Sequence, residues 1–161
     1  MSAQPQDALE DALARCYRHL GQREHSTAEL RARLERAHLP PAAIDAALAT
    51  VTEQGYLDDV RYARLLVEDR RSIAGWGAER IRERLRAAGI DRELIDEVLA
   101  EPSGHAEQLT AARRLLARRC PGPLGDNRAR QRAFGILIRM GYSEEVAYDA
   151  IRAAGDLPQQ P

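Results

Sequence analysis

Three stretches of this chain share one apolar pattern: LERAHLPPAAIDAAL (34–48), LRAAGIDRELIDEVL (85–99) and LIRMGYSEEVAYDAI (137–151). Each stretch begins with a leucine four residues before a turn position, which is occupied by His38, Gly89 or Gly141. Apolar residues follow six and ten positions after that turn. The pattern is displaced along the chain by 51 residues and then by 52. A period of about fifty residues is typical of tandem helical repeats rather than of one closed globule.

The composition favours helices and gives no overall signal for nucleic-acid binding. Hydrophobic residues make up 44% of the 161 residues, and only 4% are aromatic. Much of the apolar content is alanine, which suits close-packed helices. The formal net charge is −1, and all 24 basic residues are arginine. A GC-rich genome would produce this usage, and so would a surface suited to bidentate contact with phosphate or carboxylate.

Apolar periodicity predicts nine helices and no strand, with three helices in each repeat. The expected fold class is all-α, with three tandem three-helix repeats forming an elongated, curved helical array of right- or left-handed sense. The predicted organisation is a flexible tail at 1–6, repeats at 7–54, 55–103 and 104–155, and a flexible tail at 156–161. A repeat of this size buries too little surface to be stable alone, so stacking on its neighbours is expected.

Charge is distributed unevenly among the predicted repeats. Residues 7–54 hold 6 arginines and 8 acidic residues, and residues 55–103 hold 9 and 11, so each of these repeats has a net charge of −2. Residues 104–155 hold 9 arginines and 5 acidic residues, a net charge of +4. The last repeat is therefore the one most expected to face an anionic partner.

Polar residues mark several helix starts. Ser26 followed by Glu29 predicts a capping box. Asp58 or Asp59 is expected to cap the helix that follows them, the fourth in the chain. Capping is favoured over binding a metal ion as a pair, because adjacent residues at a helix start point in different directions. The buried face of that helix is predicted to include Tyr62, Leu65 and Leu66.

The chain lacks the residue patterns that assemble a catalytic or metal site. Its four histidines show no ligand spacing, and no Walker A, G-x-G-x-x-G or G-x-S-x-G motif is present. Cys16 and Cys120 are far apart and indicate neither a disulfide framework nor a zinc site. No signal-peptide pattern or long apolar run occurs. We therefore expect a cytoplasmic protein that is not an enzyme and needs no cofactor or metal.

Arginines recur on the middle helix of each repeat and are the main candidates for binding. They are Arg31, Arg33 and Arg36, then Arg80, Arg82, Arg84 and Arg86, and finally Arg128, Arg130 and Arg132. In the second repeat the alternative is a solvated helix with internal ion pairs, such as Glu79 with Arg82. In the third repeat the binding interpretation is stronger because acidic residues are few there. Arg118 and Arg119 add to the positive charge of the same repeat.

Trp76 is the only tryptophan and stands between Gly75 and Gly77. A tryptophan usually fills the core. The flanking glycines indicate a turn between helices, so a half-exposed side chain that contacts a partner is an equal alternative.

Several spaced motifs resemble the RecX family of recombinase regulators. They are GYLDDVRYA (55–63), Arg70, GWGAERIRERLRAAGI (75–90), the following helix with Ile95, Asp96 and Leu99, HSTAELRARL (25–34) and GYS (141–143). The resemblance extends over residues 8–154, and the central motif is specific because its elements agree in order. The chain departs from the family in having His38 where glycine is common and arginine where lysine is common.

The resemblance implies a non-enzymatic modulator of RecA. Such proteins bind the RecA–DNA filament, lie along its groove and inhibit its ATPase, strand-exchange and filament-extension activities in DNA repair and the SOS response. The implied fold is three three-helix repeats forming a curved rod. The expected partners are the RecA filament and single- or double-stranded DNA within its groove, without a membrane, and the chain is expected to be a monomer.

A set of basic and aromatic residues is expected to contact the partner. These are Arg70, Arg71, Trp76, Arg80, Arg82, Arg84, Arg86, Arg118, Arg119, Arg128, Arg130 and Arg132. Replacing Arg128, Arg130 and Arg132 together by alanine is predicted to weaken inhibition of the filament without unfolding the protein. The alternative function is a helical-repeat module that binds DNA directly through a basic face, with the third repeat's middle helix as its recognition element.

Overall fold

Nine α-helices make up the regular structure in residues 5–100 and 104–155, the ranges that the computed structural model describes. They are α1 (Pro5–Leu20), α2 (Thr27–Arg36), α3 (Pro41–Glu53), α4 (Asp59–Ser72), α5 (Ala78–Ala87), α6 (Arg92–Ala100), α7 (His105–Arg119), α8 (Asn127–Arg139) and α9 (Glu144–Gly155). No strand occurs in these ranges. The predicted all-α class, built from tandem three-helix repeats, is confirmed.

The predicted tails lie largely outside the described ranges. Residues 1–4 and 156–161 are not described, whereas Pro5 and Gln6 already belong to α1. Helix α1 therefore begins within the segment assigned to the N-terminal tail. Proline fits the first turn of a helix because an N–H at that position has no partner within the helix.

Backbone contacts divide the chain into two compact units, one up to Arg64 with Leu85–Leu94 and the other Leu65–Arg84 with the residues from Ile95 onward. In the first unit α1 packs on α3, and the core contains Ala12, Cys16, Leu30, Leu34, Ile44, Ala47, Leu48, Val51 and Leu57. In the second unit α7 packs on α9, and the core contains Ala112, Leu115, Leu116, Leu124, Ala129, Ala133, Leu137, Tyr142, Val146, Ala147, Ala150 and Ile151. The leucines that begin the three repeated stretches, Leu34, Leu85 and Leu137, are all fully buried.

Two adjacent aspartates in the first unit cap the starts of two different helices, α4 and α2. The Oδ1 atom of Asp58 accepts hydrogen bonds from the backbone N–H groups of Val60 and Arg61, at 2.9 and 3.0 Å. The Oδ1 atom of Asp59 accepts a bond of 2.7 Å from the N–H of Thr27, the first residue of α2. The predicted cap of α4 is thus Asp58, whereas the contact of Asp59 with α2 was not predicted; each aspartate satisfies donors that have no partner within their own helix.

The start of α2 contacts the chain just after α5 within the first unit. Ser26 caps α2 as predicted, accepting a 3.1 Å bond from the N–H of Glu29, and its hydroxyl also donates to the carbonyl of Ala88. Gly89 has a φ of +73°, and a Cβ atom there would lie 2.3 Å from the Cβ of Ala28. Only glycine fits this close approach, so the turn residue serves tertiary packing as well as helix termination.

The start of α5 contacts the end of α8 in the same way within the second unit. The N–H of Gly77 donates to the carbonyl of Met140 at 2.7 Å, and the N–H of Glu79 donates to that of Gly141 at 3.1 Å. Gly141 has a φ of +89°, and a Cβ atom there would lie 2.4 Å from the backbone nitrogen of Arg80. One kind of contact therefore recurs at successive middle helices with the same spacing as the repeat.

The prediction for the buried face of α4 was wrong at one residue. Tyr62, Ala63 and Val67 are buried and Leu66 is half-buried, whereas Leu65 is 48% exposed. A helix turns about 100° per residue, so Leu65 lies roughly 130° from the centre of the stripe formed by the other four residues.

Candidate functional site

A turn that is held by several hydrogen bonds places Trp76 between α4 and α5 in the second unit. The N–H of Trp76 donates to the carbonyl of Arg70 at 2.9 Å. The hydroxyl of Tyr142 donates to the carbonyl of Gly75 at 3.0 Å, and burial raises the pKa of that hydroxyl. A Cβ atom at Gly77 would lie 2.3 Å from the carbonyl of Gly141. The glycines that flank the tryptophan thus permit close backbone contact and fix the direction of its side chain.

Two guanidinium groups lie over the indole of Trp76, which is half-buried. The Cζ atom of Arg70 is 5.1 Å from the ring centroid, and the Cζ atom of Arg80 is 4.2 Å from it. Both distances fall within the range of attraction between a cation and an aromatic ring. The tryptophan is therefore not fully buried, and its ring already contacts two guanidinium groups.

Arg80 is held by the C-terminal end of α8. Its Nη1 atom lies 3.4 Å from the carbonyl oxygen of Arg139 and 3.3 Å from the Sδ atom of Met140. Carbonyl groups at a helix C-terminus carry partial negative charge, which favours a guanidinium there. Arg70 pairs with Asp69 through an Nη1–Oδ2 distance of 3.1 Å, and its Nε atom is buried without a hydrogen-bond partner.

An open cavity of about 390 Å³ lies beside the indole. Its lining includes Ile73, Trp76, Arg80, Leu115, Arg118 and Arg119, and no acidic residue lines it. Arg118 and Arg119 are exposed and make no ion pair within the described part of the chain. The cavity thus combines apolar walls with guanidinium groups that have no carboxylate partner.

Two of the predicted contact residues already have partners within the second unit. The Nη2 atom of Arg71 donates to the carbonyl of Leu99 at 3.0 Å, and burial lowers the pKa of this guanidinium, with an opposing effect from Glu107. Arg82 forms a very short ion pair with Asp96 on α6. Tertiary partners already occupy both guanidinium groups.

The remaining arginines of α5 do not join the tryptophan cluster. Arg84 is half-buried. Arg86 is exposed in the first unit, where it lines a groove of about 350 Å³ with Arg23, Arg33 and Arg36. This groove was not predicted as a site, because Arg23 lies outside the middle helices and Arg86 is far from it in the sequence.

The arginines of α8 divide into two kinds. Arg128 and Arg132 are exposed, and neither is ion-paired with any carboxylate that the structure describes. The Nε atom of Arg130 instead donates to the carbonyl of Leu124 at 2.8 Å and so holds the loop that precedes α8. Arg128 and Arg132 therefore remain available to a partner, whereas Arg130 has a structural contact.

Sequence patterns did not single out Ile73, although it lies at the cavity and is 74% exposed. Its position three residues before Trp76, just beyond α4, is the signal that could have identified it. Among residues 5–100 and 104–155, no three His, Cys, Asp or Glu side chains come close enough to hold a metal ion. Within the same ranges, no helix has the length and apolar character that crossing a membrane requires.

Comparisons with known proteins agree on one family. Residues 12–50 match the first three-helix domain of RecX, and residues 58–99 match the second. The chain is 34% identical over 151 residues to the regulatory protein RecX of Mycolicibacterium vanbaalenii, covering 89% of this chain and 82% of that one. It is 35% identical over 152 residues to RecX of Deinococcus radiodurans, covering 94% and 72%. The crystal structure of RecX from Lactobacillus salivarius has the same fold, with a TM-score of 0.83, 17% identity, and coverage of 94% and 99%.

Proposed function

Since this chain belongs to the RecX family of regulatory proteins, we propose that it binds the RecA–DNA filament and inhibits its ATPase, strand-exchange and filament-extension activities. The role belongs to DNA repair and the SOS response, and a cytoplasmic monomer without catalytic chemistry carries it out. Family membership, supported by both matched three-helix domains, is the observation that carries this proposal.

Unpaired arginines in the second unit support an anionic partner. Arg118 and Arg119 lie at the cavity beside Trp76, and Arg128 and Arg132 are exposed on α8. An exposed ion pair contributes less than about 1 kcal/mol, whereas a sheltered charge-assisted hydrogen bond contributes roughly 1.5–3 kcal/mol. Useful affinity therefore requires several contacts, which a protein built of repeats supplies when it touches neighbouring filament subunits.

The proposed mechanism is mechanical rather than chemical. Repeats at 7–54, 55–103 and 104–155 each offer a surface, and contacts with successive RecA subunits would oppose their relative movement during ATP hydrolysis. Binding at a filament end would instead prevent the addition of further subunits. The two modes differ in stoichiometry, because blocking requires protein along the filament whereas capping requires one molecule at each growing end.

A titration into RecA assembled on single-stranded DNA tests the proposal. ATP hydrolysis and filament length are measured together as this protein is added. Blocking lowers hydrolysis at constant length with near-stoichiometric protein, whereas capping shortens filaments at substoichiometric protein. Unchanged hydrolysis and unchanged length, with protein in excess over RecA, would refute the proposed function.

Direct binding to DNA through α8 is the second candidate function. The observation in its favour is that Arg128 and Arg132 are exposed and have no acidic partner in the described ranges. Binding to bare single- and double-stranded DNA is measured across a range of salt concentrations. Affinity that equals filament binding and falls steeply with salt would favour this alternative, since phosphate contacts release counterions.

A further inference from the structure

The cavity beside Trp76 has an apolar side chain exposed to solvent at its edge. Ile73 is 74% exposed at its edge. Leu115, which also lines the cavity, belongs to the core of the second unit and is buried. Tryptophan and arginine are enriched among the residues that contribute most to binding at protein interfaces, and the exposed Ile73 adds apolar surface at the same place.

The same cavity has a positively charged lining that suits an anionic ligand. Arg80, Arg118 and Arg119 line it, and no carboxylate does. Arg80 is already fixed by the indole and by the end of α8, so little side-chain freedom is lost when an anion binds. The planar guanidinium group matches the geometry of a carboxylate through paired hydrogen bonds.

Two features favour a protein segment over a nucleic acid as the occupant. Single-stranded nucleic acid binds by stacking its bases on open aromatic faces. Here two guanidinium groups already lie over the indole, at 4.2 and 5.1 Å. The exposed side chain of Ile73 adds an apolar contact that phosphates do not need, whereas a peptide with leucine or a similar residue would use it.

We propose that Ile73, Trp76, Arg80, Arg118 and Arg119 form a socket for an acidic segment of a protein partner that also carries apolar side chains. Carboxylates of the segment bind the guanidinium groups, and an apolar side chain packs against Ile73 beside the indole. The proposal rests on the proposed function only for the identity of that partner, which would be the RecA filament.

The fluorescence of Trp76 reports directly on the socket because the chain has one tryptophan. The probe is a short acetylated peptide of alternating aspartate and leucine, which contains no aromatic residue. We expect it to change the emission of Trp76 saturably. The same peptide with asparagine in place of aspartate should bind about tenfold more weakly or worse, because the charge-assisted bonds are lost.

Two double variants on α7 provide a matched comparison. Arg118→Gln with Arg119→Gln removes two charges at the cavity, and Arg113→Gln with Arg114→Gln removes two exposed charges from the same helix outside it. We expect the first variant to weaken peptide binding about tenfold and the second less than about twofold. Equal weakening by both variants would mean nonspecific charge attraction and would overturn the socket.

Replacing Ile73 separates the apolar contact from the charges. Ile73→Ala should weaken peptide binding, whereas Leu65→Ala, at another exposed apolar side chain of the same unit, should not. Oligothymidylate is tested in parallel. A change in Trp76 emission with oligothymidylate but not with the peptide would overturn the proposal in favour of nucleic acid.

Inhibition of RecA ATPase by the same variants separates the socket from the proposed function. If the wild-type protein inhibits and the variant with Arg118→Gln and Arg119→Gln inhibits equally well, the socket is refuted as the RecA contact while the function stands. If the wild-type protein fails to inhibit but binds the peptide through Trp76, the proposed function is refuted while the socket's chemistry stands.

Discussion

Gly141 occupies a backbone conformation and a space that together exclude other residues. Its φ is +89°, and a Cβ atom would lie 2.4 Å from the backbone nitrogen of Arg80. We expect Gly141→Ala to lower the free energy of unfolding by about 2–4 kcal/mol, since left-handed strain adds to the steric conflict. Urea denaturation measures this loss. Stability equal to that of the wild-type protein would show that the start of α5 can move away from the end of α8 at little cost in free energy.

His38 is the matched control because it occupies the corresponding turn in the first repeat. Its φ is +58°, so it also adopts the left-handed conformation, yet it is not a glycine. We expect His38→Gly to change stability by less than about 1 kcal/mol, because relief of strain is offset by greater freedom of the unfolded chain.

The His25 side chain makes stability depend on pH. It is 1% exposed, its Nδ1 atom has no hydrogen-bond partner, and Glu29 Oε2 at 3.4 Å gives only an electrostatic contact. Burial lowers the pKa of this imidazole below its ordinary 6.5, with an opposing effect from Glu29. The unfolded chain therefore binds the proton first, so the contribution to stability is complete above pH 6.5 and is lost as the pH falls below it.

We expect the free energy of unfolding to decrease as the pH falls below 6.5, with a slope of at most about 1.4 kcal/mol per pH unit from this group. His25→Gln should remove that part of the slope even if it lowers stability at every pH. Chemical denaturation across this pH range gives the measurement. The same slope in wild type and variant would assign the pH dependence to other groups.

At the scale of helices, the two capping aspartates are expected to contribute measurably to stability. Asp58→Ala should cost about 1 kcal/mol of stability by removing the cap of α4, and Asp59→Ala should cost a similar amount by removing a partner from the start of α2. Asp45→Ala is a control, because its ion pair with Arg31 is exposed and worth less than about 1 kcal/mol. Thermal or urea unfolding compares the three variants. A loss at Asp59 no larger than that at Asp45 would contradict the role in α2.

These caps illustrate how far the sequence predicts individual elements. Asp58 stands immediately before its helix, so local rules identify it. The partner of Asp59 is Thr27, thirty-two residues earlier, and only the tertiary structure brings the two together. The same limit applies to the arginines, since the carbonyl partners of Arg71 and Arg130 come from other elements or loops. The helical pattern alone does not show which arginines have a carbonyl partner within the protein.

Arg130 differs from Arg128 and Arg132 on the same helix because it has a partner within the protein. Its bond to the carbonyl of Leu124 anchors the loop before α8. We expect Arg130→Ala to lower the free energy of unfolding by about 1 kcal/mol, and Arg128→Ala or Arg132→Ala to change it by less than about 0.5 kcal/mol. Urea denaturation of the three variants measures the difference. Three equal results would remove the structural role assigned to Arg130.

At the scale of the whole chain, the repeat itself was predictable from apolar spacing, because burial imposes the same pattern on each unit. The contact between successive middle helices was not predicted, since Gly89 and Gly141 indicate only that a helix ends. In the structure each of these glycines contacts the start of the preceding middle helix: Gly89 contacts Ala28, and Gly141 contacts Arg80. The repeat period therefore reflects tertiary contact as well as secondary structure.

The proposed binding role of the third repeat is tested best without Arg130, because the triple alanine variant would combine a lost partner contact with a loosened loop. We expect Arg128→Ala with Arg132→Ala to weaken inhibition of RecA ATPase about three- to tenfold at unchanged thermal stability, since each exposed contact contributes less than about 1 kcal/mol. The control is Arg15→Ala with Arg152→Ala, which removes the same charge from side chains already paired with Asp11 and Asp149. If both double variants weaken inhibition equally, total charge rather than α8 governs binding to the filament. If neither does, α8 lies outside the interface.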